Sequence, residues 1–426
     1  MKVLIVSAVP VRRAATGTEV TVNGLFSGWP RDSLMQAFIG EADEAEELVG
    51  APLAIPPNAA WLDYAFRSAV RKAGLLRGSL APASGVVPVL GPRSARTRMH
   101  MTMRYVADAS PMRVPRHVFA QAREFDPDVI YSLLGSLRMI RLANLLSDSL
   151  GKPVVPHFMD DWPGTLYGSQ ELWGMPRRSL LASLSALMGK VPLGLAIGDA
   201  MSLEYSERFG VPFASVSNPA GEEYFAVPPG GDAEAPVLAY VGGLHLGRGD
   251  VLRRFAETLA ELGGETPLRL VVHCPDQHLE LYGGGLERHE CVEIRGSVTP
   301  DQVPSVLESA DILVHVESFD PSEMAFTRLS VSTKLSQYLA AGRPVISFGP
   351  DSLASTLLVR QSGGGIAAAD DRELRSALKT LADPETRRTM GRRGRSYAQS
   401  RFSQAAMSTT LRDALQAAGD AGRRDS

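Results

Sequence analysis

The chain has almost no cysteine. Its two, Cys274 and Cys291, cannot build a disulfide framework, and no Cys/His cluster has zinc spacing. A reducing cytoplasm is the simplest expected compartment. There is no apolar run near the roughly 18 residues that a membrane-spanning helix needs. The opening stretch, "MKVLIVSAVP", lacks the longer apolar core and small-residue cleavage site of a secretory signal, so it reads as a buried first strand. Charge of one sign is scarce as well: the net charge of −3 argues for no particular partner. Regular aromatic interleaving for base stacking is missing, and nucleic acid is not an expected partner. No G-x-G-x-x-G follows the first strand, which runs into "PVRRAATG", so a dinucleotide oxidoreductase is disfavoured. No Asp-x-Asp stands in a metal-binding context, "MDD" at 159–161 being too short a signal, and no metal is expected.

What remains is a soluble globular balance, 44% hydrophobic and 21% charged, over 426 residues. That length predicts two domains. Short β-branched runs alternate with helical patterns, which predicts α/β architecture with parallel sheets covered by helices. Strands are expected at 2–8, 34–39, 128–134, 153–158, 193–198 and 213–218, with helices such as Ser136–Leu150 and Asp199–Phe209 between them. The pattern lapses into "PAGEEYFAVPPGGDAEAP" at 219–236, which reads as a linker. It restarts with strands at 237–242, 268–274, 291–296, 312–316 and 344–348. The domains expected are thus 1–218 and 237–402, facing a cleft, with a last helix at about 403–418 packing back on the first domain. Residues 61–116 hold ten basic side chains, Arg104, Arg113 and Arg116 among them, against Asp63 and Asp108. This is either a solvated face or a surface that meets anionic lipid or a phosphate-bearing acceptor.

Two stretches carry chemistry. "YVGGLHLGRGDVL" (240–252) is strand, glycine turn, then a helix expected from near Asp250. Gly242 and Gly243 allow a sharp turn and close approach to a ligand. Arg248, just before that helix, is either a loop arginine or a bidentate phosphate clamp. "SVSTKLSQYLAAGRPVI" (330–346) follows a buried strand. Ser330, Ser332 and Thr333 offer capping oxygens, Leu335, Tyr338 and Leu339 form the apolar stripe, and Gly342 is the stop. Lys334 and Gln337 share one face at the helix start, toward the carboxyl end of the sheet. Taken alone, that spacing reads as a surface Lys and Gln. With an anion bound, Lys334 and the free helix N–H groups would neutralise a diphosphate and Gln337 would reach ribose hydroxyls. In the first half, Asp161 either caps a helix before Trp162-Pro163 or orients an acceptor hydroxyl. Asp160 reads as a cap, and His157 as a satisfied core histidine.

"STKLSQYLAAGRPVI" resembles the helix–strand segment of retaining GT-B glycosyltransferases, those with two Rossmann-like lobes, of the glycosyltransferase group 1 (family 4) type and its bacterial polysaccharide branch. "SNPAGEEYF" (217–225), "GGLHLGR" (242–248), "RGSV" (295–298), "MDDWPG" (159–164) and "DPDVIYS" (126–132) agree in order along the chain. The resemblance implies a nucleotide-sugar donor, UDP- or GDP-linked, with no resident cofactor, and a saccharide or lipid-linked acceptor. It implies donor contacts at Gly17 and Thr18 in the loop "AATGTE", at Gly243, His245 and Arg248, at Ser297 and Val298 for the base, and at Ser332, Thr333, Lys334 and Gln337. Asp161, Arg248 and Lys334 are the expected catalytic set. Assembly of polysaccharide or glycolipid in the cytoplasm, at the inner membrane face, is the implied setting. The chain departs from the family in one respect: two glutamates eight positions apart are replaced by Leu329 and Gln337, while Glu317 and Glu323 lie out of register. A nucleotide-sugar epimerase and a non-catalytic scaffold on the same fold stay open as alternatives.

Overall fold

The computed structural model describes residues 1–8, 10–11, 17–40, 49–61, 64, 95–168, 171–230, 233–263 and 268–424. The chain divides into two compact units, Met1–Val216 with Ser408–Ser426, and Ser217–Met407. Each is built on one Rossmann-like parallel sheet, as the strand–helix alternation predicts.

The first unit has 7 strands: β1 (Val3–Ser7), β2 (Leu34–Ile39), β3 (Ala51–Ile55), β4 (Val129–Ser132), β5 (Val154–Phe158), β6 (Gly194–Ala196) and β7 (Phe213–Ser215), in the order β3-β2-β1-β4-β5-β6-β7. Every residue of β1, β4 and β5 is buried, as in strands covered on both faces. The second unit has 6: β8 (Val237–Val241), β9 (Arg269–His273), β10 (Val292–Arg295), β11 (Ile312–Val316), β12 (Val345–Phe348) and β13 (Gly365–Ala368), in the order β10-β9-β8-β11-β12-β13. That order is doubly wound, and the winding reverses between β8 and β11. Along β8 the side chains alternate: Leu238 and Tyr240 enter one core, Ala239 and Val241 the other. The sheet is thereby pinned between two apolar layers, and the carboxyl ends of β8 and β11 stand side by side.

Two strands escape the sequence pattern. β3 contains Pro52, which has no N–H to donate and is tolerated because β3 is an edge strand. β13 reads Gly-Ile-Ala-Ala, poor in β-branched residues, at the edge of the other sheet.

The segment read as a linker belongs to the second unit. Three arginines strap its carbonyls down. Arg395 donates to Val227 O at 2.5 Å, Arg343 to Pro228 O at 2.7 Å and Arg387 to Ala233 O at 2.5 Å. Local sequence shows an irregular run; only long-range side chains show that it is fixed. The same Arg395 donates to Ala340 O and Ala341 O, the C-terminal carbonyls of the helix Thr333–Ala340, where a cation complements the dipole. The helix Gln404–Arg424 passes from the second unit into the first at Ser408. Within the first unit, Arg412 lies 4.7 Å above the Trp29 ring and Arg423 pairs with Asp128 at 2.7 Å.

Candidate active site

The site of interest gathers at the carboxyl ends of β8 and β11 in the second unit. β8 ends in a turn pinned from three sides. Gly242 N donates to His273 O at 2.8 Å, Tyr240 Oη donates to Gly243 O at 2.6 Å, and Leu244 N donates to His278 Nδ1 at 3.2 Å. Gly242 has φ 139, and a Cβ there would collide with Lys334 Nζ. Only glycine meets both conditions.

The helix after this turn is Arg248–Glu261, so Arg248 opens it and does not merely precede it. Its Nη2 lies 3.1 Å and 3.2 Å from the two carboxylate oxygens of Glu317, just beyond β11. His315 Nε2 is 3.1 Å from the same Glu317 Oε1. Burial pushes the Glu317 carboxyl up, but Arg248 and His315 outweigh it and hold the group at about 2. Glu317 is therefore ionised, and the arginine expected to clamp phosphate is engaged by an internal acid. Sequence reasoning left this partner without a role. The signal was present: β8 and β11 pair in parallel, so residues beyond their carboxyl ends become neighbours.

The helix Thr333–Ala340 supplies the other half. Ser332 is its N-cap but makes no side-chain capping bond, contrary to expectation. Its N–H is bound to Ser355 Oγ at 3.1 Å. The N–H groups of Thr333 and Lys334 make no hydrogen bond among the described residues. Asn218 Nδ2 fixes the helix start by donating to Thr333 O at 3.3 Å. Lys334 is half-buried, with Nζ 4.6 Å from the Tyr240 ring centre, and forms no ion pair among the described residues. Burial, with the Arg248 charge adding to it, pushes its ammonium down to about 7. A half-buried lysine beside unbonded helix N–H groups is a concentration of positive potential that an anion would relieve. Gln337, one turn on, is half-buried, and its side chain has no hydrogen bond among the described residues. His245 sits in the turn, 5.2 Å from the His278 ring, and burial first, then Arg248, bring it down to about 4, so it is neutral at pH 7. Val298 packs on the same apolar layer as Leu335, while Ser297 is exposed in the loop after β10.

Comparison with known proteins agrees with this geometry. Residues 248–413 match the family model described as glycosyl transferase-like. HepE of Anabaena, solved in complex with UDP and glucose, superposes with a TM-score of 0.63 at 13% identity, covering 98% of this chain and 99% of that one. The fold is GT-B. The α,α-trehalose 6-phosphate synthase of Burkholderia multivorans matches this GT-B chain with a TM-score of 0.61 at 12% identity, over 100% of this chain and 98% of the other. WaaG, a glycosyltransferase involved in lipopolysaccharide biosynthesis, matches at 0.55 and 14%, over 97% and 98%. Residues 248–413 are glycosyl transferase-like on this GT-B frame. No curated protein matches the chain by sequence.

The structure thus brings Gly243, His245, Arg248, Val298, Ser332, Thr333, Lys334 and Gln337 to one end of one sheet of the GT-B chain. The residues expected from the first unit fare differently. Gly17 and Thr18 open the helix Gly17–Phe26 rather than lying in a loop; residues 12–16, and the side chains up to Val20, lie outside the described residues. Asp161 is buried and caps the short helix Trp162–Thr165. Its Oδ1 accepts from Gly164 N at 3.1 Å, Tyr205 Oη at 2.7 Å and Arg208 Nη1 at 3.1 Å. Its contacts serve the cap, not an acceptor hydroxyl. Asp161→Ala should therefore lower the unfolding free energy by about 2–3 kcal/mol, since it strands three donors. The turnover number of the folded fraction should hold. Denaturant unfolding together with kinetics reads both, and a loss of turnover at full stability would restore the catalytic role. His157 is a core histidine as expected, with Nδ1 2.7 Å from Tyr131 Oη and Nε2 3.0 Å from Val216 O. Leu329 is buried. Glu323 keeps one buried oxygen, Oε2, without a hydrogen-bond partner.

Proposed function

We propose that this GT-B chain is a glycosyltransferase that moves a sugar from a UDP- or GDP-linked donor to a saccharide or lipid-linked acceptor, with retention at the anomeric carbon and without a metal. Lys334 carries the proposal: a half-buried cation with no ion pair among the described residues, at the start of a helix whose first N–H groups are unbonded. A nucleotide diphosphate supplies the missing anion. As the glycosidic bond breaks, charge grows on the leaving diphosphate, and fixed donors aimed there lower the barrier. Lys334 and the N–H groups of Thr333 and Lys334 are such donors. The Arg248 guanidinium has five N–H donors, so a phosphate contact is compatible with its hold on Glu317. Gln337 would hydrogen-bond the ribose, His245 would approach the donor sugar as a neutral imidazole, and backbone near Ser297 and Val298 would hold the base. That HepE was solved with UDP and glucose supports a uridine donor. Retention rests on the resemblance to the group 1 type.

The chain is proposed to act in the cytoplasm, at the inner membrane face, with residues 61–116 meeting anionic membrane. Residues 62–63 and 65–94 of that stretch lie outside the described residues, and no helix among those described is long and apolar enough to cross a membrane.

The experiment is calorimetric titration of the protein with UDP, GDP, dTDP and ADP. Selective binding of one nucleotide is expected and fixes the donor class. Binding of none overturns the proposal and favours a scaffold. Incubating the corresponding nucleotide sugar without acceptor then separates the alternatives: an epimerised sugar would contradict transfer.

A further inference from the structure

Six of the twelve exposed large apolar side chains among the described residues are Trp61, Tyr64, Met103, Val106, Trp173 and Met175, all in the first unit. They gather around one helix, Ala95–Ala109. Met103 and Val106 are three apart on it and share a face. Trp61 and Tyr64 adjoin its C-terminal end, where Arg113 N donates to Ala59 O at 2.9 Å and Tyr64 N to Ala60 O at 3.0 Å. Trp173 belongs to the segment Glu171–Gly174, which packs against the same helix. The Tyr105 ring meets Tyr167 edge-on at 5.5 Å just before that segment.

Trp173 is held outward at a cost. Leu172 and Trp173 have φ 49 and 54, a left-handed conformation that side chains disfavour. The result is a tryptophan that is 83% exposed, where burial would have been favourable. The nearby charge is of one sign. Arg113, Arg116 and Arg178 are exposed, and Arg178 Nη2 donates to Trp173 O at 3.0 Å. Asp108 is buried, its carboxylate taken by the N–H groups of Leu137 and Arg138 and by Tyr167 Oη. The remaining acids of the region are Asp63 and Glu171.

We propose that this aromatic and apolar face, rimmed by arginine, is where the first unit docks on an anionic lipid bilayer. Tryptophan and tyrosine favour the headgroup level because one end of the ring system is apolar and the other polar. Arginines beside them draw the face to an anionic surface, and the exposed apolar residues enter the acyl boundary without spanning it. The docking face deepens the membrane contact proposed above. It is independent of the donor site, because a chain that bound no nucleotide would still bind vesicles.

The test is co-sedimentation of the full chain with vesicles of phosphatidylcholine alone and of phosphatidylcholine mixed with phosphatidylglycerol. Wild-type protein is expected to sediment with the mixed vesicles, less so as salt rises, and hardly with phosphatidylcholine alone. Trp173→Ser should weaken that binding about tenfold, or about 1.4 kcal/mol, with an unchanged unfolding temperature because the side chain is exposed. Arg178→Glu should weaken it and flatten the salt dependence. If wild type fails to sediment, or if both variants sediment like wild type, the face is not a lipid-docking surface. Capture of a protein by this face without vesicle binding would overturn the proposal in the same way.

Discussion

Lys334→Met should weaken nucleotide-diphosphate binding at least about tenfold, roughly 1.4 kcal/mol, while leaving the protein at pH 7 no less stable than wild type. Few substitutions combine these effects, and both follow from one side chain. In the folded chain the ammonium titrates near 7, against an ordinary value of 10.5, because burial and the Arg248 charge disfavour its charged form. The depressed value means that the unfolded chain holds more protons than the folded one between about pH 7 and 10.5. Stability from this group therefore rises with pH across that window, and below it the full burden of a charged, half-buried lysine is present. Methionine keeps an apolar stem over the Tyr240 ring and removes the charge, so the burden disappears. The lysine is thus a locally unfavourable residue, and an anion at the helix start would explain its presence.

The pH dependence of binding has the opposite sign. A diphosphate beside Lys334 favours the charged form, so binding above pH 7 takes up a proton and affinity falls as pH rises, by at most about tenfold per unit. In the methionine variant this slope should vanish. Calorimetry in buffers of different ionisation enthalpy measures the proton directly. Equal affinity and equal slope in both proteins would remove Lys334 from the site, and with it the main support for a nucleotide-sugar donor.

What the sequence made legible divides along a physical line. Interior strands such as 312–316 stand out as continuous apolar runs, because both their faces are covered. Edge strands did not stand out: Pro52 and the alanines of β13 are tolerated only where one side of the strand is unpaired. The helix carrying Lys334 was readable from its apolar stripe and Gly342 stop, since both are local signals; Gly342 indeed has φ 68. Contacts between residues far apart in sequence were not readable. Arg248 and Glu317 meet only because β8 and β11 are neighbours, across a separation of 69 residues. Asp161 is fixed as a cap by Tyr205 and Arg208, 44 and 47 residues away. The irregular composition of 219–236 suggested a free connection, while its restraint comes from arginines more than a hundred residues downstream.

Among those arginines, Arg387→Ala should be the most destabilising single change in the second unit, costing about 3–5 kcal/mol. Arg387 is fully buried and is among the largest such side chains. Its Nη1 donates to Leu381 O and Ala382 O, each at 2.7 Å, and its Nη2 to Ala233 O at 2.5 Å. Alanine leaves three carbonyls without that donor and a cavity where the side chain stood, and the two costs add. Lysine restores charge but not the planar fork, so Arg387→Lys should recover only part of the loss. For a unit of this size each kcal/mol moves the melting temperature by roughly 2–4 °C, which makes a fall of about 10 °C the expected reading for alanine. Calorimetric scans of the two variants check the order. The consequence extends to the site. Ala233 leads within a few residues into β8, and β8 carries Gly242, Tyr240 and the turn against which Lys334 rests. Loosening that strap should weaken nucleotide binding in Arg387→Ala at temperatures where the unit is still folded. A variant that melted early yet bound nucleotide normally below its transition would show that β8 holds the turn without help from the arginine.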